Sequence, residues 1–282
     1  MYIYKQYDQA ALNHQYNNRE LVPGYQDYFD LWARLNVETQ TSYTVFRDLE
    51  YGHLSAEKLD IYPSAKPKSP TMIFIHGGYW QMMDKTDFSF MAQAFVPRDL
   101  CTVIIGYPLA PVVTMGQIVE SVRAAITWVH DHIQDFGGDP DQIYLCGHSA
   151  GGHLATMMMT HPYHPPGITL RGICALSGLY DLIPIQRSHV NGPIDMSIET
   201  AIRCSPIQYQ PITIPLMLAV GGAESDEYHC QQKDLYDRWS PSNGHITPLV
   251  LPGVNHFSIL SELLESESAL GRAVFDMRLR KR

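Results

Sequence analysis

The segment Ile143-Tyr144-Leu145-Cys146-Gly147-His148-Ser149-Ala150-Gly151 decides the fold of this chain. Its apolar first half predicts a buried strand, and the stretch His153–Met159 that follows predicts a helix. A G-x-S-x-G sequence between a strand and a helix is typical of a nucleophile elbow, a tight turn that raises the serine hydroxyl above the sheet. The dipole of the following helix favours negative charge that develops there. We therefore predict that Ser149 is a nucleophile.

Short apolar runs recur on both sides of this segment and suit strands that are buried on both faces of a parallel sheet. They are Thr71–Ile75, Thr102–Ile105, Ile143–Cys146, Gly172–Leu176, Pro215–Val220 and Thr247–Leu251. Helical stretches separate them, most clearly Gly116–Phe136, whose apolar residues trace one face. This alternation predicts an α/β fold with a mostly parallel, doubly wound sheet. Alternating polarity around 43–50 and 57–62 predicts an antiparallel pair that leads into it.

The 282 residues contain no linker, so we predict a single α/β domain over residues 1–282. Residues 1–41 are rich in aromatic side chains and include a predicted helix over Gly24–Val37, which indicates an N-terminal helical cap. The stretch from about 184 to 211 is longer than a usual connection and contains three prolines. It is interpreted as a lid-like insertion.

A second motif, His76-Gly77-Gly78-Tyr79-Trp80, follows the run Thr71–Ile75. Acyl transfer requires fixed donors for the oxyanion of the tetrahedral intermediate. The motif therefore predicts an oxyanion hole formed by the amides of Gly78 and Tyr79 together with that of Ala150, the residue after the nucleophile. The alternative is a tight glycine turn without a chemical role.

Tyr79 and Trp80 are candidates for substrate binding because two aromatic rings beside the oxyanion loop can form a wall of an aryl pocket. For Trp80 a second interpretation stays open, in which the indole packs in the core under that loop. His76, at the start of the same motif, is predicted to be structural.

The base and the acid of a triad are expected after the serine in chain order. Among thirteen histidines, His256 follows the last apolar run and lies in a loop, so it is the predicted base. The acid is expected just after the run Pro215–Val220, where three carboxylates follow. The distance from the strand end favours Glu224, and Asp226 is the alternative. Its role would be to fix the histidine tautomer and stabilise the imidazolium.

Composition excludes several other classes of protein. A formal net charge of −9 argues against general nucleic-acid binding, and no apolar run approaches the roughly 20 residues that cross a bilayer. Five cysteines without a C-x-x-C pair, and a start without an apolar signal segment, predict a cytoplasmic protein. The basic end, with arginine or lysine at 278 and 280–282, is interpreted as a solvated helix end, and a contact with an anionic surface is the alternative.

The expected partner is a small-molecule ester or amide substrate. No cofactor and no metal site are predicted, because the histidines and aspartates around 130–135 match no ligand signature. A homodimer is left open.

With these residues in place, the chain resembles the kynurenine formamidase (arylformamidase) branch of the α/β-hydrolase superfamily, near the hormone-sensitive-lipase-like esterases. The branch is marked by H-G-G-x-W, which is the sequence at 76–80. Further similar motifs are those at 7–12, 147–154, 177–182, 221–225 and 255–257. The likeness covers nearly the whole chain.

The resemblance implies the α/β-hydrolase fold and a triad of Ser149, Glu224 and His256. Many members have aspartate at the acid position, so the choice between Glu224 and Asp226 stays open. The implied reaction is hydrolysis of an N-formyl arylamine amide such as N-formylkynurenine. The alternatives are a short-chain carboxylesterase with the same triad and a non-catalytic binding protein on this fold.

Overall fold

The computed structural model describes the backbone of residues 1–279 and the side chains of residues 1–276. The basic side chains at 278 and 280–282 lie outside the described part. Within that part, eight strands form one sheet in the order β1-β2-β4-β3-β5-β6-β7-β8. The strands are β1 (Phe46–Glu50), β2 (Lys58–Tyr62), β3 (Ser69–Ile75), β4 (Cys101–Ile105), β5 (Gly138–His148), β6 (Leu170–Leu176), β7 (Leu216–Gly221) and β8 (Ile246–Leu251).

The sheet confirms the predicted α/β class and its mostly parallel pairing. β1 pairs with β2, and β2 with β4, in antiparallel fashion, while the pairs from β4 through β8 are parallel. Each apolar run of the sequence coincides with a strand, because a central strand of a covered parallel sheet has no solvent-exposed face. β8 differs from the expectation of full burial. It is the last strand of the sheet, and Val250 on it is 49% exposed.

The register brings the carboxyl ends of the parallel strands to one edge of the sheet. Ile75 at the end of β3 lies beside Gly147 of β5, and Gly147 lies beside Ala175 of β6. Farther along the same edge of the sheet, Gly221 of β7 lies beside Leu251 of β8. The loops that carry the predicted site residues follow these ends directly, so all of them start at the same edge.

Twelve α-helices lie in the described part of the chain. They are α1 (Gln9–Gln15), α2 (Asn18–Leu21), α3 (Tyr25–Ser42), α4 (Met91–Phe95), α5 (Met115–His132), α6 (Ala150–Met157), α7 (Ile183–Arg187), α8 (Asn191–Ile194), α9 (Ile198–Arg203), α10 (Asp226–Trp239), α11 (Ile259–Leu264) and α12 (Ala269–Leu279). The helix predicted over Gly116–Phe136 is α5, which a short 3₁₀ turn, Ile133–Phe136, extends.

Helix α3 runs five residues beyond its predicted end at Val37. Its polar continuation is held by Thr39, a buried side chain whose hydroxyl donates to the Leu35 carbonyl at 2.7 Å. The amide of Gln93 also donates to that hydroxyl, at 2.9 Å. Because a polar residue occupies a buried position here, the apolar periodicity stops before the helix does.

The two segments outside the alternating pattern are both helical. Residues 1–41 form α1, α2 and most of α3, and residues 184–211 hold most of α7, all of α8 and α9, and a 3₁₀ turn, Pro206–Gln208. Each segment contributes side chains to a cavity at the carboxyl edge of the sheet. Their description as a cap and a lid stays a prediction, as does the single domain.

Candidate active site

Ser149 occupies a strained turn between β5 and α6. Its backbone has φ 57° and ψ −119°, a conformation that residues other than glycine rarely adopt. The surrounding structure must therefore hold it in place. A Cβ atom added at Gly147 would lie 2.1 Å from the Gly151 carbonyl oxygen, and one added at Gly151 would lie 1.9 Å from that of Ile75. Both glycines are therefore required by contact, and the turn is locked when the Ser149 amide donates to the Leu176 carbonyl at 2.8 Å.

The structure brings Ser149, His256 and Glu224 together in one hydrogen-bonded row. The distance from His256 Nε2 to Ser149 Oγ is 3.1 Å, and that from His256 Nδ1 to Glu224 Oε2 is 2.7 Å. Ser149 and His256 are buried, and the Glu224 side chain is only 1% exposed. The row has the geometry by which a base accepts a hydroxyl proton while a carboxylate orients the base.

Glu224 and Asp226, which the sequence left as alternatives, are in different surroundings. Glu224 Oε1 accepts hydrogen bonds from the Gly221 amide at 2.7 Å and from the Ser177 hydroxyl at 2.6 Å, which leaves Oε2 for His256. Asp226 is exposed at the first position of α10. Only Glu224 therefore reaches the imidazole.

His256 is enclosed by two further rings. The centroids of the Tyr228 and His148 rings each lie 4.8 Å from the centroid of the His256 ring. His148 Nε2 lies 2.8 Å from the His256 carbonyl oxygen, so that nitrogen carries the proton. Burial, followed by the proximity of His256, lowers the pKa of His148 well below its usual value. His148 is consequently neutral and adds no positive charge beside His256.

The loop after β3 lies directly against Ser149. A Cβ atom added at Gly77 would come within 3.1 Å of the Ser149 Cβ. Gly78 has φ +108°, and its missing side chain leaves room for the Met82 carbonyl oxygen, which a Cβ would approach to 2.1 Å. Gly78 and Tyr79 line the same cavity as Ser149, and Ala150 opens α6 next to it. The three predicted oxyanion residues thus lie around Ser149, and their role stays a proposal.

Tyr79 and Trp80 point in different directions. Tyr79 lines the cavity, and its hydroxyl donates to the Tyr16 carbonyl at 2.8 Å. Trp80 does not line this cavity. Its indole is fully buried and donates to His153 Nδ1 at 3.2 Å, while His153 Nε2 donates to the Cys204 carbonyl at 2.6 Å. The interpretation of Trp80 as a substrate wall is therefore corrected to the core position.

His76, expected to be structural, is also buried. Its ring stacks on that of Tyr107 with 4.2 Å between the centroids, and the Tyr107 hydroxyl donates to the His76 carbonyl at 2.9 Å. Burial lowers the pKa of the imidazole. These contacts hold the start of the loop after β3 in place.

The cavity in front of Ser149 has a volume of about 330 Å³, and its surface is mainly apolar. His148, Ser149 and His256 lie at its base, and the loop at 77–83 forms one side. Its other lining side chains are Tyr16, Asn17, Asn18, Arg19, Phe29, Trp32, Phe88, His189, Val190, Pro193 and Phe257. Six of these eleven come from residues 1–41, for which the sequence indicated a helical cap but no site residues.

The sequence did not predict a polar network that lies behind the cavity wall. The Asn18 amide donates to the Tyr228 hydroxyl at 2.9 Å, and that hydroxyl lies 2.8 Å from the hydroxyl of Tyr79. Burial raises the pKa of Tyr228, and the hydrogen bonds with Asn18 and Tyr79 oppose the shift. The aromatic density of residues 1–41 was the available signal, but it does not reveal partners that lie more than 200 positions away.

Three further features concern the part of the chain that the structure describes. No helix in it is long and apolar enough to cross a membrane. No group of three or more histidine, cysteine or acidic side chains in it is arranged to hold a metal ion. All five cysteines are unpaired, and all except Cys230 are buried.

Comparison with known proteins places the chain in a family. The model of the BD-FAE family matches residues 59–237. The kynurenine formamidase of Salmo salar is 33% identical over 241 residues, which cover 82% of this chain and 81% of that protein. The kynurenine formamidase of Danio rerio is 31% identical over 240 residues, with 82% and 80% covered.

The structure agrees with these sequence matches. A crystal structure from Silicibacter sp. TM1040, of a protein provisionally named a thioesterase, superposes with a TM-score of 0.85 at 27% identity, covering 94% of this chain and 98% of that one. The resemblance stated from the motifs is confirmed. The chain is a hydrolase of the α/β-hydrolase fold that belongs to the BD-FAE family and, within it, to the kynurenine formamidase-like branch.

Proposed function

We propose that the protein is a serine hydrolase in which Ser149 is the nucleophile, His256 the general base and Glu224 the supporting acid. Its proposed substrate is an N-formyl arylamine amide such as N-formylkynurenine. The single observation that carries the proposal is the row from the Glu224 carboxylate through both nitrogens of His256 to the Ser149 hydroxyl. A non-catalytic protein on this fold has no need to preserve that row in a strained, buried turn.

In the first half of the reaction, the Ser149 oxygen attacks the formyl carbon as its proton passes to His256 Nε2. The amides of Gly78, Tyr79 and Ala150 stabilise the oxyanion that forms. His256 then returns the proton to the aryl nitrogen, so the C–N bond breaks and a neutral arylamine leaves. The formyl group stays on Ser149 as an ester.

In the second half, water attacks this ester and His256 accepts its proton. Collapse of the intermediate returns the proton to Ser149 and releases formate, which restores the free enzyme. Glu224 faces a positively charged imidazole in both halves. Because its other oxygen is held by Gly221 and Ser177, it keeps the Nδ1–H of His256 directed away from the serine.

The cavity supports an aromatic substrate. Rings of Phe29, Trp32, Phe88 and Phe257 line a space of about 330 Å³, which suits one aryl group beside a small acyl group. The names of the Salmo salar and Danio rerio relatives support a formyl amide as the scissile group.

A short-chain carboxylesterase is the second candidate. The structural likeness to a protein provisionally named a thioesterase favours it, since thioester and ester hydrolysis use the same triad chemistry without protonation of a poor nitrogen leaving group.

Purified protein offered N-formylkynurenine and p-nitrophenyl acetate in parallel distinguishes the two candidates. We expect kcat/KM to favour the formamide by more than about 10-fold, which corresponds to about 1.4 kcal/mol of transition-state stabilisation. A preference of that size for the ester would establish the second candidate. The Ser149→Ala variant is the control, and activity that it retains on either substrate would contradict the proposed nucleophile.

A further inference from the structure

Arg19 lies on α2 and lines the same cavity as Ser149. Its guanidinium carbon is 5.6 Å from the centre of the Tyr25 ring and 5.7 Å from that of Phe29. One of its nitrogens also lies 3.4 Å from the Met82 sulfur. These contacts hold a solvent-exposed arginine against the cavity wall, although none of them neutralises its charge.

Arg19 is the one lysine or arginine among the described residues that line the cavity. The chain carries a formal net charge of −9, yet no aspartate or glutamate among the described residues lines the cavity. Arg19 makes no ion pair with any side chain in residues 1–276, and the adjacent Glu20 pairs with His14 instead, at 3.4 Å. The cavity has two other histidines besides His256, and burial lowers the pKa of both, His148 and His189.

A guanidinium in this setting suits a carboxylate. Its planar fork can donate two parallel hydrogen bonds to the two oxygens of one carboxylate, a geometry that lysine does not offer. The rings of Tyr25 and Phe29 and the Met82 sulfur cannot satisfy those donors as a carboxylate would. A substrate that fills the cavity would also exclude water from the pair and so strengthen it.

We infer that Arg19 is a specificity-determining residue that binds a carboxylate on the substrate, so that the cavity selects aryl amides and esters that carry a negative charge. The inference rests on the proposed function, because it assigns the selectivity of the same site. It concerns binding, however, and binding can be measured without turnover.

The test uses Ser149→Ala protein, which keeps the cavity and removes the nucleophile. Calorimetric titration with meta-formamidobenzoate and with its methyl ester gives two dissociation constants, whose ratio reports selectivity for the carboxylate. We expect the anion to bind at least about 10-fold more tightly, the range of a hydrogen bond to a charged group. Adding Arg19→Met to this protein is expected to abolish that preference, and Arg19→Lys to restore it in part.

Arg34→Met is the matched control, because Arg34 is exposed on α3 outside the cavity and its loss changes the net charge equally. It is expected to leave the ratio as it was, and higher salt is expected to reduce the ratio. An equal affinity for acid and methyl ester, a ratio that Arg19→Met does not change, or no binding of either ligand would overturn the inference. Failure of the proposed function would give a different result. The wild-type protein would then bind the anion through Arg19 but hydrolyse neither formamides nor esters.

Discussion

The catalytic edge and the N-terminal cap build one cavity by different means. At the edge, Ser149, Glu224 and His256 follow the ends of β5, β7 and β8, and the backbone itself holds the serine turn and the carboxylate. The segment predicted to be a cap, residues 1–41, is held by side chains. The Ser225 hydroxyl donates to the Gln15 carbonyl at 2.7 Å, and the Tyr16 hydroxyl donates to Glu227 at 3.2 Å.

Helix α10 connects the two regions, because it begins just after Glu224 and its first turn carries Glu227. The difference shows that the chemistry of the molecule depends on the sheet, whereas the shape of the substrate cavity depends on contacts that single substitutions can remove. Substitutions at the edge should therefore affect turnover, and those in the cap should affect stability and substrate binding.

The largest effect is expected from Ser149→Ala. Loss of the nucleophile should lower kcat by about 10⁴- to 10⁶-fold, because only binding and oxyanion stabilisation remain. The strained turn does not depend on the hydroxyl, so the melting temperature should stay close to that of the wild type. Steady-state kinetics with parallel thermal unfolding provide the measurement, and a retained rate would place the nucleophile elsewhere.

Glu224→Gln should follow, with kcat lower by about 10⁴-fold, because an amide does not hold the required histidine tautomer. Asp226→Asn is the matched variant two positions later, on an exposed side chain. It should change kcat by less than about 2-fold. The reverse order of effects in the same assay would make Asp226 the acid.

A smaller effect, and one of a different kind, is expected from Tyr16→Phe in the cap. The variant removes a hydroxyl that donates to the buried Glu227 carboxylate, which should lower the free energy of unfolding by about 1–3 kcal/mol. Urea titration measures this loss. KM should rise more than kcat falls, since the triad does not contact this hydroxyl. A loss of kcat comparable to that of Glu224→Gln would mean that cap and edge are not separable.

The smallest effect is expected from Glu227→Gln and depends on pH. Burial raises the pKa of Glu227 above its usual value of 4.5, despite the opposing influence of Lys5. A carboxyl group with a raised pKa in the folded state favours folding fully below its unfolded pKa and loses that contribution as pH rises through the folded pKa. Relative to the wild type, the Gln variant should therefore gain stability from pH 4 to pH 7, as urea unfolding across that range would show.

The fold and the catalytic edge were predictable because their signals are local. The elbow around Ser149 needs two glycines at fixed positions, and the buried strands appear as apolar runs. The choice between Glu224 and Asp226 was not local. It depends on the Gly221 amide and the Ser177 hydroxyl. Both donate hydrogen bonds to the buried Glu224 carboxylate, whereas Asp226 stays exposed.

Other features depend on contacts between distant parts of the chain. Asn18 meets Tyr228 across 210 positions, which no periodicity in residues 1–41 indicates. The two residues before Trp80 have positive φ angles, and Trp80 itself has φ 59°. With this backbone conformation its side chain points away from the cavity that Tyr79 lines. A sequence motif locates such a loop but does not give the direction of its side chains.

The three buried histidines near the site, His76, His148 and His153, limit how far this protein tolerates acid. Burial lowers the pKa of all three, that of His153 to about 4. Below pH about 6.5 these imidazoles bind protons in the unfolded chain but stay neutral in the folded chain. Each of them therefore lowers the free energy of unfolding as pH falls. Proton uptake at His153 would also remove the acceptor of the Trp80 indole. Acid inactivation should therefore begin with disorder in the loop that carries the proposed oxyanion donors, before the sheet itself unfolds.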